Sequence, residues 1–495
     1  MSKTCRLGIV TLTGSSALLS KRVTASGVFV FLAVALCGCM TSYKEAVAAR
    51  HDVMFGSGAM ACERAAKMAG SSANRKLGNI ELGRLKMLQG DFRGSSAILA
   101  PQLEELFDET NEGPVLKKGQ IAGNILAGTI GDDRDIPYEL PAFELLFGLQ
   151  YQALNELALG SPDNARVYLR RATAVQEQLK EENGKVDDST NAEQAGNDKD
   201  SAANAQNAST AADQISEKLS AVADTVRASY ENALAWYMMG LFFSKENDQS
   251  NADIAYREAG RINPAIIPFT KPPAGAGQDV IVVYEEDLVD MQEPIKIPLP
   301  FGGTVWSVDF PVYGAPPHIP SQIAIETGGA LTATCVPVVN VQALAYRNLR
   351  DCIPGIATRN VTRAALKIAA QQVANHVKTG SSGGDLALKL GVLAFNIFST
   401  AVNEADTRAW QTIPEHVHLS RFRLPARRNS IVLRNTLTGR ACEVALPQDS
   451  AGSGTRLVWF SDVRGFATVS VITLGGKSAP TWARTTSLLN PYAMR

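Results

Sequence analysis

The stretch from Trp236 to Pro264, WYMMGLFFSKENDQSNADIAYREAGRINP, constrains the fold of this chain more than any other. It sets Trp236, Met239, Gly240, Phe243, Asn247, Ala252, Tyr256, Ala259 and Pro264 in an order that describes two antiparallel helices and the turn between them. Gly240 and Ala252 are small where such helices touch, and Trp236, Phe243 and Tyr256 fill the space around that contact. Asn247 tolerates a left-handed turn, and Pro264 stops the second helix.

That order resembles the tetratricopeptide repeat, whose units stack into a solenoid with a concave surface that holds another polypeptide; the lesser alternative is that the repeats merely pack against a neighbouring domain of the same chain. Two weaker copies precede it. In ELGRLKMLQGDFRGSSAIL the corresponding residues are Leu82, Gly83, Gly90, Phe92 and Leu99. In YQALNELALGSPDNARVYLRRA they are Ala153, Gly160, Ala165, Leu169 and Ala172. A turn-rich stretch around 129–141 interrupts any simple stack. Between Val186 and Ile215 there is no Val, Leu, Ile, Met or aromatic residue. Such a segment buries too little apolar surface to offset its ordering entropy. The expectation is a repeat domain over 39–270 with a disordered insertion near 183–214, the alternative for that insertion being a solvent-facing Ala-rich helix.

After Pro264 the texture changes. KPPAGAG reads as a linker, placed at 271–278. DVIVVYEE, IKIPLP, TVWSVDFPVY, SQIAIE and LTATCVPV follow as strand-like runs bounded by Gly or Pro, with the proline-rich PVYGAPPHIP as an extended surface segment. A helical block is expected at 341–351 and 359–378. LALKLGVLAFNIF, Leu386–Phe398, is apolar almost all round and too short to span a bilayer, so it reads as a buried helix, with a peripheral membrane-inserted helix as the alternative. Strands resume at HVHLSRFRLP. The expected fold is α+β and multidomain: an N-terminal helical solenoid, then a small antiparallel β-rich domain over 279–495 with two or three packed helices.

A formal net charge of −1 without a basic patch argues against a nucleic-acid partner. The hydrophobic fraction of 45% predicts globular cores rather than disorder. At the N-terminus, Lys3, Arg6, Lys21 and Arg22 precede the apolar run Gly27–Leu36, with no acid before Glu45. That run has the length of a signal-peptide core. The sequence Leu36-Cys37-Gly38-Cys39 resembles the bacterial lipoprotein signal. The resemblance implies that 1–38 is removed and that Cys39 is acylated, palmitate included, as the first mature residue. Two or more acyl chains anchor stably where one does not. A Cys-x-Cys metal site would need partners nearby, and the next His is His51. Met40, rather than Asp, follows the cysteine, which favours the outer membrane, facing the periplasm.

Four further cysteines remain, Cys62, Cys335, Cys352 and Cys442. Cys335 and Cys352 are close enough in sequence to pair in an oxidising compartment; the alternative is four separate small buried hydrophobes. The most unusual stretch is EADTRAWQTIP, Glu404–Pro414. Asp406 can cap a turn and Arg408 can pair with it. Arg408 and Trp410 then either clamp an anionic or sugar ligand or lock helix to sheet, and the junction is the plainer role. His416 and His418 share one strand face, but zinc needs further ligands, so no metal or cofactor is assigned. Asp132-Asp133 and Glu285-Glu286-Asp287 are acidic clusters placed on loops. Ser381–Gly384 is too generic for a phosphate cradle. No GxSxG, P-loop or HExxH occurs, and no catalytic role is assigned.

Cys39, the Trp236–Pro264 repeat, DVIVVYEE leading to IPLP, VYGAPP, and ADTRAWQTIP followed by RFRLP together resemble a family of uncharacterised bacterial lipoproteins. The resemblance spans most of the mature chain and implies a repeat-bearing envelope lipoprotein without an activity. This sequence departs from it in the Asn/Ala-rich insertion, whose loss is expected to be harmless. The expected function is a membrane-anchored periplasmic scaffold for a protein partner in envelope assembly. The alternative is a polysaccharide-binding or export accessory lipoprotein, with Arg408 and Trp410 lining a sugar groove.

Overall fold

Helical periodicity governs the chain up to Phe269 and strand periodicity most of the rest. The computed structural model describes residues 42–111, 113–117, 136–186, 199–301, 304–314, 317–376, 405–446, 454–463, 466–474 and 481–485. Helices α1 (Ser42–Met54), α2 (Gly58–Ala69), α3 (Arg75–Leu88) and α4 (Phe92–Glu104) come first, then a short hairpin, β1 (Phe107–Thr110) and β2 (Gly113–Leu116). Next are α5 (Ala142–Ala158), α6 (Pro162–Val186), α7 (Lys199–Ala223), α8 (Ala233–Lys245) and α9 (Gln249–Ile262). Side-chain caps set several starts. Asp91 accepts from Gly94 N at 2.8 Å, and Asn232 from Ala235 N at 3.2 Å.

The helix pair read from Trp236–Pro264 is α8 and α9. Trp236, Met239, Gly240 and Phe243 lie on α8; Ala252, Tyr256 and Ala259 lie on α9. Asn247 takes φ +62° in the turn, and Pro264 opens a 3-10 turn, Pro264–Phe269. Gly240 is needed for close approach: a Cβ there would sit 2.7 Å from the Tyr256 ring. The weaker copies are the hairpins α3–α4 and α5–α6, turned at Gly90 and Gly160, both with φ +78°.

These hairpins do not make the expected solenoid. In a solenoid each unit packs only on its neighbours. Here Leu146, Leu149 and Tyr237 from the helices share one core with Ile281, Val283, Leu419 and Trp459 from strands. Helix α5 is buried on every side from Ala142 to Leu157, with partners for much of its polar content. A repeat helix with a solvent face cannot be sequestered in this way.

The strand region is also larger than expected and not purely antiparallel. A nine-stranded sheet runs in the order β10-β9-β6-β7-β8-β3-β11-β12-β13. Its strands are β3 (Gln278–Glu286), β6 (Ile323–Thr327), β7 (Ala330–Asn340), β8 (His416–Leu424), β9 (Ser430–Asn435), β10 (Ala441–Ala445), β11 (Thr455–Val463), β12 (Phe466–Leu474) and β13 (Thr481–Thr485). β3 and β11 pair in parallel and every other neighbouring pair is antiparallel, so the sheet is mixed. A separate hairpin is formed by β4 (Gln292–Phe301) and β5 (Thr304–Tyr313).

Alternation along β3 explains how one sheet serves two cores. Ile281 and Val283 face the helices, while Val280, Val282 and Tyr284 enter a second core. That second core is drawn from the sheet's own strands and the residue after β10: Ile325, Phe422, Leu433, Val444, Phe460 and Val471 meet there. The sheet therefore curls over itself, nearly as a barrel does, and wears its helices on the other face.

Other expectations are corrected locally. Residues 199–214 belong to α7 rather than to a disordered insertion. Asn207, Ala208, Ala211 and Ala212 are buried, and Asn207 Nδ2 donates to Pro300 O at 2.7 Å. Alanine-rich sequence buries well when the partner surface is supplied by another element, here the helix Val341–His376 and β4. The expected block at 341–351 and 359–378 is one helix, α10 (Val341–His376), which carries Pro354 within it. Cys335 and Cys352 are both free thiols, with no bridge between them. Glu285 and Glu286 lie in β3, not on a loop.

Candidate functional site

Two polar constellations stand where helices and sheet meet. The first is the segment entering β8. Arg408 Nε and Nη2 donate to the Asp406 carboxylate at 2.8 and 2.7 Å. Its Nη1 donates to Asn74 Oδ1 and Ile136 O, each at 3.0 Å. Trp410 N donates to Glu144 Oε1 at 2.9 Å, its Nε1 donates to Thr412 Oγ1 at 2.9 Å, and its ring meets Tyr151 edge-on. Glu81 accepts from Gln411 N and from Thr412 Oγ1. Arg50 of α1 donates to Gln411 O at 3.2 Å and to Val289 O.

Asp406, Arg408 and Trp410 are thus gathered into a hydrogen-bonded junction between helices and sheet. Trp410 is 1% exposed and offers no ring face to a sugar. Asp406 and Arg408 also border an open cavity of about 210 Å³, together with Tyr138, Glu139, Asp351 and Arg359. Burial pushes Glu81 up to about 8 and Glu144 up to about 7, only partly offset by their hydrogen bonds. Both are therefore acids held near neutrality by desolvation, in contact with protein groups rather than with an opening.

The second constellation is at the end of the sheet where β3 finishes and β8 begins. Glu286 stands opposite His416 in the register. His418 Nε2 lies 2.8 Å from Glu286 Oε2, Ser321 N donates to the same oxygen at 3.0 Å, and Asn435 Nδ2 donates to Oε1 at 3.2 Å. Burial works to raise Glu286, but these hydrogen bonds outweigh it and hold it down at about 2. Asp287 leaves the strand with φ +50°, its N donating to Asp462 O at 3.0 Å. Glu415 N donates back to Glu286 O at 3.0 Å. Glu415 Oε1 accepts from His318 N, and its Oε2 lies 2.9 Å from His318 Nδ1.

Ligand atoms of Asp287, His318 and Glu415 all lie within 4.8 Å of one another. His416, 1% exposed, has no hydrogen-bond partner at Nε2. Burial pushes it down to about 4 even with Glu286 nearby, so it is a neutral imidazole at ordinary pH. Two carboxylates and one imidazole at this spacing can share a proton or ligate a divalent cation.

Sequence reasoning named His416 and His418, counted Asp287 only as part of a solvated acidic cluster, and gave His318 and Glu415 no role. His318 and Glu415 are 97 positions apart, and neither lies in a periodic element. The usable signal was scarcity: three of the chain's five histidines, His318, His416 and His418, converge on this end of the sheet.

Cys39, Asp132-Asp133, Ser381–Gly384 and the Leu386–Phe398 run lie outside the described residues. Among the described residues, no helix is long and apolar enough to cross a membrane. No family model, curated protein or solved structure matches the chain.

Proposed function

We propose that this protein is a lipid-tethered binding protein of the bacterial envelope, anchored through Cys39 in the outer membrane, facing the periplasm, and engaging a protein partner in envelope assembly. The observation that carries the reading is the nearness of the anchor sequence to a docked helix. Helix α1 begins at Ser42, three positions after Cys39. Three residues reach at most about 10 Å. Ala46, Ala49 and Val53 of α1 are buried, and Arg50 holds the helix to the strap before β8. An acylated Cys39 would hold such a body close against the bilayer, so its partner would be met at the membrane surface.

Support for a protein partner comes from the loops at the histidine end of the sheet. Ile319 and Leu437 are 84% and 74% exposed. Their loops are tied together, Thr436 N and Oγ1 both donating to Gln322 O at 2.9 Å. Exposed aliphatic side chains on braced loops suit docking better than catalysis. The test is a gentle-detergent pull-down comparing wild type with a chain carrying both Ile319→Asp and Leu437→Asp. The expected result is an envelope protein recovered with wild type and lost with the doubly substituted chain. Recovery unchanged by both substitutions would contradict this surface.

A further inference from the structure

We infer that Asp287, His318 and Glu415 form a binding site for a divalent transition-metal ion at the histidine end of the sheet. The three are held together by the end of β3. Asp287, the residue just past the strand, takes φ +50° with its N donating to Asp462 O, Glu415 N donates to Glu286 O, and His318 N donates to Glu415 Oε1 at 2.9 Å. Their ligand atoms converge to within 4.8 Å. Glu415 is buried, whereas the His318 side chain is 53% exposed, so an ion reaching the site from solvent meets a fixed carboxylate behind a reachable imidazole.

A second observation points the same way. His416, next in sequence to Glu415 and opposite Glu286 in the register, is 1% exposed and its Nε2 is left without a partner. Leaving a buried imidazole nitrogen unpaired costs free energy, so the strand end that carries Glu415 holds an imidazole with unused ligand capacity beside the three converging groups. Neighbouring polar contacts are already in place: Glu286 takes its bonds from His418, Ser321 and Asn435. Partners of this kind hold ligand segments in position around a metal.

The donor set narrows the ion. Calcium and magnesium take oxygen ligands, whereas an imidazole with carboxylates suits zinc, manganese or iron(II). Three protein ligands leave zinc a fourth position for water. The inference is independent of the tether at Cys39 and of the docking surface.

The test uses the full chain in detergent, stripped with chelator and titrated with zinc chloride alone by calorimetry. One zinc ion per chain is expected. His318→Ala and Asp287→Asn should each weaken binding by about 10-fold or more. Both substitutions fall where the fold tolerates them, since His318 is exposed and Asn accepts a positive φ. His51→Ala, exposed on α1 with its ring against Phe55 and not among the converging ligands, should leave binding unchanged. Thermal unfolding of each variant verifies that it is folded. Absence of zinc binding by wild type, or equal binding by folded His318→Ala, would overturn the assignment.

Discussion

Arg84 of α3 and Glu285 of β3 form an ion pair between helix layer and sheet, each side chain only 2% exposed. Tyr151 donates to Glu285 Oε1 at 2.8 Å, and its ring lies 4.0 Å from the Arg84 guanidinium. A charge pair taken wholly out of water holds only while both members remain. Arg84→Met and Glu285→Leu should each cost about 3–5 kcal/mol, and the double variant less than the sum. Urea unfolding of the four proteins measures this, and additive losses would mean that the two residues are not coupled.

The strap before β8 makes stability depend on pH through Glu81. An unfolded glutamate titrates near 4.5, and the folded one near 8. Between those values the folded state keeps a proton that the unfolded state releases. This contribution therefore weakens as pH rises from about 4.5 to 8 and is flat above. Glu81→Gln keeps the protonated shape, so its urea midpoint should fall less between pH 5 and 8 than that of wild type. The expected difference at pH 8 is about 1–3 kcal/mol. Parallel pH profiles would contradict the assignment.

Gly240 should tolerate no side chain. Its added Cβ would lie 2.7 Å from the Tyr256 ring, inside the α8–α9 contact. Gly240→Ala is expected to destabilise by about 1–3 kcal/mol despite the better helix propensity of alanine. A rise in unfolding midpoint would show that Tyr256 simply moves aside.

Helix α7 should prove structural. Ala211 is fully buried, so Ala211→Asp places an unpaired charge in a packed layer. A loss of about 2–5 kcal/mol is expected. A neutral outcome in thermal unfolding would restore the view of this segment as dispensable.

How much of this was legible in the sequence follows from the range of each signal. The helix pair of Trp236–Pro264, its turn at Asn247 and the stop at Pro264 depend on residues within one hairpin, and they stand in the structure as read. The buried strand β3 was equally plain, because DVIVVYEE is apolar on both faces. What failed was everything decided by distant packing. Nothing local in α5 says that its outer face meets a sheet, and nothing in Ala208–Ala212 says that α10 and β4 cover it. A parallel pairing of β3 with β11 leaves no mark in either strand. The junction at Asp406, Arg408 and Trp410 was readable from unusual composition, whereas Asp287, His318 and Glu415 lie at element ends joined only by the fold.

The decisive measurement concerns the anchor: radiolabelled palmitate uptake and membrane fractionation of wild type against Cys39→Ala in a bacterial host. Wild type should be labelled and pellet with outer membranes until detergent is added, while Cys39→Ala should be unlabelled and remain in the soluble fraction. An unlabelled, soluble wild type, or a Cys39→Ala chain that still pellets with label, would contradict anchoring through Cys39.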